Sequence, residues 1–487
     1  MGVSLYTSRV ILSALGVEDY GIYNVVGGVV AMFGTITGSL ASAISRFFTF
    51  ELGKGDKTKL KEIFTACIVI TLLIAIILIF IGETFGLWFI NNKLNIDIRR
   101  IYAVNWIFQF SLVTLCIGIV SIPYNSAIVA HERMSVFAYI SIAEALLKLI
   151  ICFLVTISDN DRLILYGFLI MMVSVVVRVF YQLYCRREFE ECICELGLSN
   201  KKKIVEIFSF AGWSCVTHSI YIFNTHGVNI LMNQFFHVTL NAARGIAVQV
   251  EGAVVSFVKS FMTAMYPQIT KLYAAGKIRE MEKLVCGGAK FSFILFWLIG
   301  LPLLMETEFV LRLWLIHVPD HTINFLRLTI IASMIDRFGD TISIACRATG
   351  NIKRYVLTLS SVTILIFPLS YISFASGLSP EFTYVWFITI YLVVNILQLF
   401  LMRKLLGLSI KNFVIKSVIP VLLIATFSCP IPYYLMQYSQ PSFYRLVSTI
   451  CCCSISTIVI TWLLGLSKYE KENIVSFVHK KIKSIKK

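Results

Sequence analysis

Arg244, Glu251 and Lys259 are the residues of this sequence whose types and setting most strongly imply chemistry. They stand in the stretch from Asn233 to Gly276, long enough to span a bilayer. A charge at the membrane centre costs about 2.5 to 3.5 kcal/mol even on the lenient insertion scale. On an α-helix, Arg244 and Glu251 fall within about 20° of each other, and Lys259 lies about 60° from Arg244 on the same side. A stripe of that kind must face a partner helix or a wet cavity. The small residues Gly245, Ala247, Gly252 and Ala253 would let another helix approach closely. The structural reading is a buried ion pair that locks two helices. The functional one follows from the cost of the setting, since ionisable residues inside a membrane mark function by default.

Other charges lie in comparable settings. Arg46 stands one to two turns inside a helix end. Glu144 and Lys148, at i, i+4, most simply neutralise each other on one helix. Arg178 is placed to snorkel. The run with His218, Asn224, His226, Gly227 and Asn229 is polar enough for a kinked or broken helix lining a cavity. Asp336, Arg337, Asp340 and Arg347 read equally as an ion-pair network or part of a proton path. Glu306, Glu308 and Arg312 are expected at an outer helix end, solvated by headgroups.

The elements that must position these residues follow from composition. Of the 487 residues, 58% are hydrophobic and only 14% charged, with a mean hydropathy of +0.82; a soluble domain has an apolar share nearer 45 to 50%. The fold class is therefore all-α and polytopic. Apolar runs of about 17 to 25 residues give roughly thirteen complete spans, from Ile22–Phe48 through Phe64–Ile90, Ile204–Met232, Thr239–Ile269, Ile323–Ala348 and Tyr355–Ala375 to Phe413–Met436 and Phe443–Leu464. Residues 1 to 17 carry Arg9 and look like half a helix. The sequence is therefore expected to begin downstream of a natural start, with fourteen spans in the complete count. The formal charge of +16 reflects topology, not nucleic-acid binding. Lys and Arg concentrate in alternate loops, from Lys54–Lys61 through Arg186, Arg187 and Lys201–Lys203 to Arg403 and Lys404, which places that side and the C-terminal tail in the cytoplasm.

The thirteen cysteines show no CxxC spacing and fall mostly inside spans, where no disulfide is expected. Cys185, Cys192 and Cys194 share a loop without His and make a poor zinc set. No catalytic constellation appears, and outer loops such as SDNDR and HVPDHT are too short for an enzyme's working face. A weak internal repeat at an offset of 221 residues matches Ser39 with Ser260, Ala43 with Ala264, Thr49 with Thr270 and Gly55 with Gly276. It points to two parallel halves with a substrate site between them. In the tail, Ile474, Val478, Ile482 and Ile485 recur at helical spacing among lysines, as in a helix lying on an anionic leaflet.

At NAARGIAVQVEGAVVSFVKSFMTA, Asn241 to Ala264, the sequence resembles the polysaccharide flippases of O-antigen (Wzx) type, in the MOP superfamily that also contains the MATE exporters and the lipid II flippase. Ser4–Phe33, Ser121–Ile142 and Arg347–Tyr355 carry the same resemblance. It implies a MATE-like fold of fourteen helices with two six-helix lobes around a cavity, which we place at 1–203 and 204–402, plus two further helices and a basic tail in 403–487. It implies movement of an undecaprenyl-pyrophosphate-linked oligosaccharide to the outer leaflet of a bacterial inner membrane by alternating access, with glycan polymerase and glycosyltransferases as partners, besides membrane lipids. Arg9, Arg46 and Arg244 stand on the helices whose cations line that cavity in the lipid II flippase. With Lys259, Asn224 and Asn241 they make the expected pyrophosphate and glycan site. His237, Val248, Glu251 and Lys259 depart from the small or amide residues usual there. No cofactor or metal is implied. The membrane potential would drive the step, or H+ or Na+ coupled through Glu251, Asp336, Asp340 or Glu144. A MATE-like drug or cation antiporter and a non-transporting scaffold are the alternatives.

Overall fold

The structure, a computed structural model, describes residues 33–93, 98–158, 161–193, 201–236, 238–315, 318–468 and 470–472, with single positions between 7 and 30 and at 476. Arg9, His237, Cys194 and the amphipathic repeat of the tail lie outside the described residues, as does the side chain of Asn241. Among the described residues every regular element is helical and there is no strand. In a bilayer only helices or closed barrels satisfy their own backbone. Ten of these helices are long and apolar enough to cross a membrane, so the chain is a multi-pass membrane protein. The helix Lys201–Phe236 is not among the ten, and it runs without interruption. The break expected among its polar residues is absent.

The chain divides into two units, residues 1–219 and 220–487. In the first, α1 (Gly34–Lys54), α2 (Lys57–Ile81), α3 (Ile101–Ala130), α4 (Met134–Ile157) and α5 (Arg162–Glu188) pack with α3 as the hub, in contact with α1, α2 and α5. Their ends are fixed by sequence. Gly55, at φ 75°, turns α1 off in a left-handed conformation that favours glycine, and its N–H satisfies the carbonyls of Glu51 and Leu52. Asp56 then caps α2 by accepting from the Lys59 N–H, and Asp161 caps α5. The same device recurs in the second unit. Gly276 has φ 71°, and Thr49 and Thr270, the matched threonines of the repeat, both bond to the carbonyl four residues earlier. At the opposite end of the first unit, Arg100 pairs with Asp19 and, at 2.7 Å, with Asp161.

The second unit contains the C-terminal part of α6 (Lys201–Phe236), then α7 (Val238–Ala274), α8 (Ile278–Met305), α9 (Thr322–Phe338), α10 (Asp340–Ala348), α11 (Lys353–Thr363), α12 (Ile366–Ala375), α13 (Phe382–Leu406), α14 (Ile419–Ser428) and α15 (Phe443–Ile460). α7 packs on α8, α9 and α10, and α9 also packs on α13. The single span expected over Ile323–Ala348 is two helices that meet at Gly339. A Cβ there would stand 2.1 Å from Gln398 Oε1 and 2.6 Å from Asn395 Oδ1, so α13 presses its amides into the joint. Asn395 also donates to the Ile335 carbonyl at 2.8 Å, next to the break. The span expected over Tyr355–Ala375 is likewise two helices, α11 and α12.

Two buried ion pairs bind the last helices to α8. Lys290 donates to Glu470 at 2.7 Å and to the Gly465 carbonyl at 2.9 Å. Glu306 accepts from Arg445 at 2.7 Å and from Thr449 at 3.0 Å. Glu306 is 1% exposed, which corrects its expected place among headgroups. Of the three residues expected there, Glu308 and Arg312 do form an exposed pair, at 2.6 Å. Removing one partner of a buried pair leaves an uncompensated charge, at a cost of about 3 to 5 kcal/mol. Glu306→Gln should therefore lower the melting temperature of the detergent-solubilised protein sharply. Glu308→Gln should change stability by less than about 1 kcal/mol.

Beyond α3 the ring of His131 stacks on Phe189 with centroids 4.0 Å apart, and its Nε2 lies 2.5 Å from Glu191 Oε1. Burial raises the Glu191 carboxyl, but the His131 hydrogen bond, a backbone hydrogen bond and the charges of His131 and Lys57 outweigh it and hold the group below its ordinary 4.5. A depressed acid contributes stability above its unfolded value and loses it as pH falls through the folded one. Stability should therefore decline on acidification below about pH 4.5, with a shallower decline in His131→Ala, measured as melting temperature against pH.

Candidate functional site

Within the second unit a cavity of about 70 Å³ is walled by four helices, with room for several waters. Each helix contributes one face. α6 gives Tyr221 and Thr225, one turn apart, and α7 gives Arg244, Val248 and Glu251 at i, i+4 and i+7. α9 gives Thr329, Ala332, Ser333, Asp336 and Arg337; α13 gives Tyr384, Phe387 and Tyr391 at i, i+3 and i+7. Arg244, 3% exposed, donates through Nη1 to the Thr225 carbonyl at 2.8 Å and bonds Asn229 Oδ1; its Nε is buried without a partner. Glu251 accepts from Ser333 Oγ at 2.6 Å. Arg337 bonds Asp336 and, at 3.4 Å, Asp340.

Arg244 and Arg337 share the walls with Glu251 and Asp336, and Asp340 joins through Arg337. The cavity carries both signs and is not simply cationic. Each guanidinium holds acceptors through its Nη atoms, while the Nε of each is buried without a partner.

The stripe on α7 is partly realised. Arg244 and Glu251 face the same cavity, whereas Lys259 is exposed and does not line it. Within the second unit no atom lies within 4 Å of a Cβ built at Gly245 or Gly252, so the close helix contact expected there is absent. It occurs on α8 instead, where a Cβ at Gly288 would meet Met265 at 2.5 Å and Thr341 at 2.8 Å. Asn224 is buried and donates to the Thr363 carbonyl at 2.8 Å, outside the cavity lining, so its amide ties α6 to α11. Asn241 lies on α7. Glu144 and Lys148, half-buried, form the expected i, i+4 pair at 2.6 Å. In the first unit Arg46 is 4% exposed, with its guanidinium 4.6 Å from the rings of Phe47 and Phe50 and 5.9 Å from Phe210. Those aromatic faces stabilise a desolvated cation by roughly 2 kcal/mol.

The sequence reading missed Tyr221, Thr225, Ser333, Tyr384 and Tyr391. Their signal is weak but present: Tyr384 and Tyr391 recur at i and i+7, and Ser333 lies one turn before Arg337. Among the described residues no three His, Cys, Asp or Glu side chains form a metal-holding group.

The architecture has solved counterparts. The chain is similar to an outward-facing multidrug resistance MATE family transporter of the MOP superfamily, with a TM-score of 0.70, 14% identity and coverage of 83% of this chain and 91% of that one. It is similar to MATE in the bent conformation, with a TM-score of 0.70, 13% identity and coverage of 84% and 92%. A third counterpart is a MOP superfamily transporter from Pyrococcus furiosus, described as having a binding pocket of reverse polarity, with a TM-score of 0.68, 14% identity and coverage of 84% and 93%. At such identities the likeness is one of fold. No curated protein is similar enough in sequence to count as a match. The model of the family described as "Polysaccharide biosynthesis protein" matches residues 2–273, which take in Arg46, Arg244, Glu251 and Lys259. With more than half of its length inside that match, the chain belongs to the polysaccharide biosynthesis protein family, and it has the fold of those MATE transporters.

Proposed function

We propose that the protein is a flippase that carries an undecaprenyl-pyrophosphate-linked oligosaccharide from the cytoplasmic to the outer leaflet of a bacterial inner membrane by alternating access. The single observation that carries this reading is the water-sized cavity holding Arg244 and Glu251, on the helix where the family match ends. Arg244 and Arg337 offer forked donors for phosphate oxygens, and Arg9, Arg46 and Lys259 are further cations for the same lipid headgroup at other stages. Asn241 is assigned to the glycan; Asn224 would serve it only by giving up the Thr363 carbonyl. Glycan hydroxyls need a hydrated path, while the lipid tail stays in the bilayer. The basic loops and tail belong in the cytoplasm. Glycosyltransferases and a glycan polymerase are the natural partners, and neither bond-making catalysis, nucleic acid nor a bound cofactor is part of the scheme.

A second reading has its own support. Three carboxylates, Glu251, Asp336 and Asp340, lie in or beside the cavity, and a drug or cation antiporter would use them as its binding groups.

Reconstituted liposomes bearing a lipid-linked oligosaccharide separate these readings. An inside-negative potential favours anion exit by roughly 2.3 kcal/mol per charge per 100 mV. Collapsing the potential while holding the pH gradient should stop glycolipid transfer if the potential drives it, and leave transfer largely intact if protons do. Arg244→Glu should cut transfer at least about tenfold, equivalent to about 1.4 kcal/mol, and cells carrying it should accumulate the lipid-linked substrate on the cytoplasmic face. An antiporter would instead lose drug resistance in Glu251→Gln, with glycolipid distribution unchanged.

A further inference from the structure

The first unit contains a second, different cavity. It measures about 270 Å³ and is lined by Tyr23, Gly27 and Val30, by Phe110, Ser111, Thr114 and Leu115 of α3, and by Gly167 and Ile170 of α5. It exceeds the roughly 150 Å³ apolar void that admits a benzene ring, and approaches the lower end of ordinary ligand pockets, which combine an apolar lining with a few placed polar groups. Among the described residues no charged side chain lines it. Its hydroxyls differ from several others of this unit. Ser121, Ser141, Thr156 and Ser174 each spend their hydroxyl on the carbonyl four residues earlier. Ser111 and Thr114, one turn apart on α3, make no hydrogen bond to another described residue and line the cavity instead. Hydroxyls left in that way are completed by water or by a ligand. A Cβ built at Gly27 meets nothing within 4 Å, so a missing side chain contributes to the room. Tyr23, Phe110 and Thr114 are only half-buried, so the cavity is open to its surroundings.

We infer that this cavity is a subsite for one uncharged sugar residue bearing a methyl group, of the 6-deoxy or N-acetylamino class. The inference rests on the flippase reading and names part of its substrate. Ser111 and Thr114 hydrogen-bond sugar hydroxyls. The rings of Tyr23 and Phe110 offer faces to C–H groups, as aromatic side chains do for amphipathic ligands. Val30, Leu115 and Ile170 receive the methyl. None of the described lining residues is a cation, so an acidic sugar would be desolvated against them without a counter-charge.

The test is saturation-transfer-difference NMR on the full chain in nanodiscs, with the methyl glycosides of rhamnose, N-acetylglucosamine and glucuronate. One of the first two should bind in the millimolar range, with the glucuronide at least tenfold weaker. Gly27→Leu and Thr114→Phe fill the cavity from opposite walls, and each should abolish binding in protein that melts as the wild type does; Thr114→Val should weaken it about threefold. Equal binding of all three glycosides, binding of none, or binding that survives both filling variants overturns the inference. So does a photoreactive phosphatidylglycerol acyl chain that labels Ser111–Leu115 and is not displaced by glycoside, because the site then belongs to bilayer lipid. The two readings fail separately. A chain that binds a neutral glycoside but transfers no glycolipid sinks the flippase and leaves the subsite, whereas one that transfers glycolipid but binds no glycoside sinks the subsite alone.

Discussion

A charge withdrawn from water must find its counter-charge or its hydrogen bonds within the fold, and the second unit is arranged around that constraint. Two classes of pairing result. Glu306 with Arg445 and Lys290 with Glu470 join α8 to the last helices, away from the cavity. Such pairs cost so much to open one partner at a time that they behave as locks. Arg337 with Asp336 and Asp340, and Arg244 with Thr225 and Asn229, sit where water has room. Water and alternative acceptors lower the cost of letting go. The same electrostatics therefore yields a rigid frame in one place and an exchangeable set in another, and the difference is access to water.

The backbone obeys the same rule. A helix that breaks in an apolar setting exposes carbonyls that nothing solvates. The break at Gly339 is tolerated because α13 brings an amide to it: Asn395 donates to the Ile335 carbonyl. The break lies between Asp336 and Asp340. It ends one helix and begins the next beside Asp336 and Asp340, whereas Glu251 stands within the continuous α7. The polar residues of α6 required no such break. Asn224 finds the Thr363 carbonyl and Asn229 finds Arg244, so the helix keeps its own hydrogen bonds.

Apolar runs made the helical class and most of the long elements legible from sequence, because burying or exposing a side chain to lipid depends on composition alone. The seven-residue spacing of Arg244 and Glu251 made their shared face legible, since helical geometry is local. The matched Thr49 and Thr270 mark helix ends of the same local form. What sequence could not carry was partnership at a distance. Arg445 lies 139 residues from Glu306, and Glu470 lies 180 from Lys290. No periodicity links such positions, so Glu306 was assigned to headgroups and Lys290 passed unnoticed in its apolar run. Gly245 and Gly252 misled for a related reason. A small residue permits a close approach but does not require one, and the tight contact formed at Gly288.

The sign of the cavity bears on how an anionic lipid could use it. With every group ionised, Arg244 and Arg337 face Glu251, Asp336 and Asp340, two positive charges against three negative. Two like unit charges about 5 Å apart repel by about 3 kcal/mol at an effective dielectric of about 20. A pyrophosphate entering that room is therefore opposed unless one carboxylate is neutralised. Under the proposed reading, a proton or cation taken up at Glu251 or Asp336 would favour entry of the anion because it lowers the repulsion, and at Asp336 it would also release Arg337. A cationic substrate would follow the opposite rule: each proton gained would expel it. The two readings thus use the same five side chains with opposite coupling, and the direction in which proton binding moves the substrate distinguishes them more directly than the identity of any one residue.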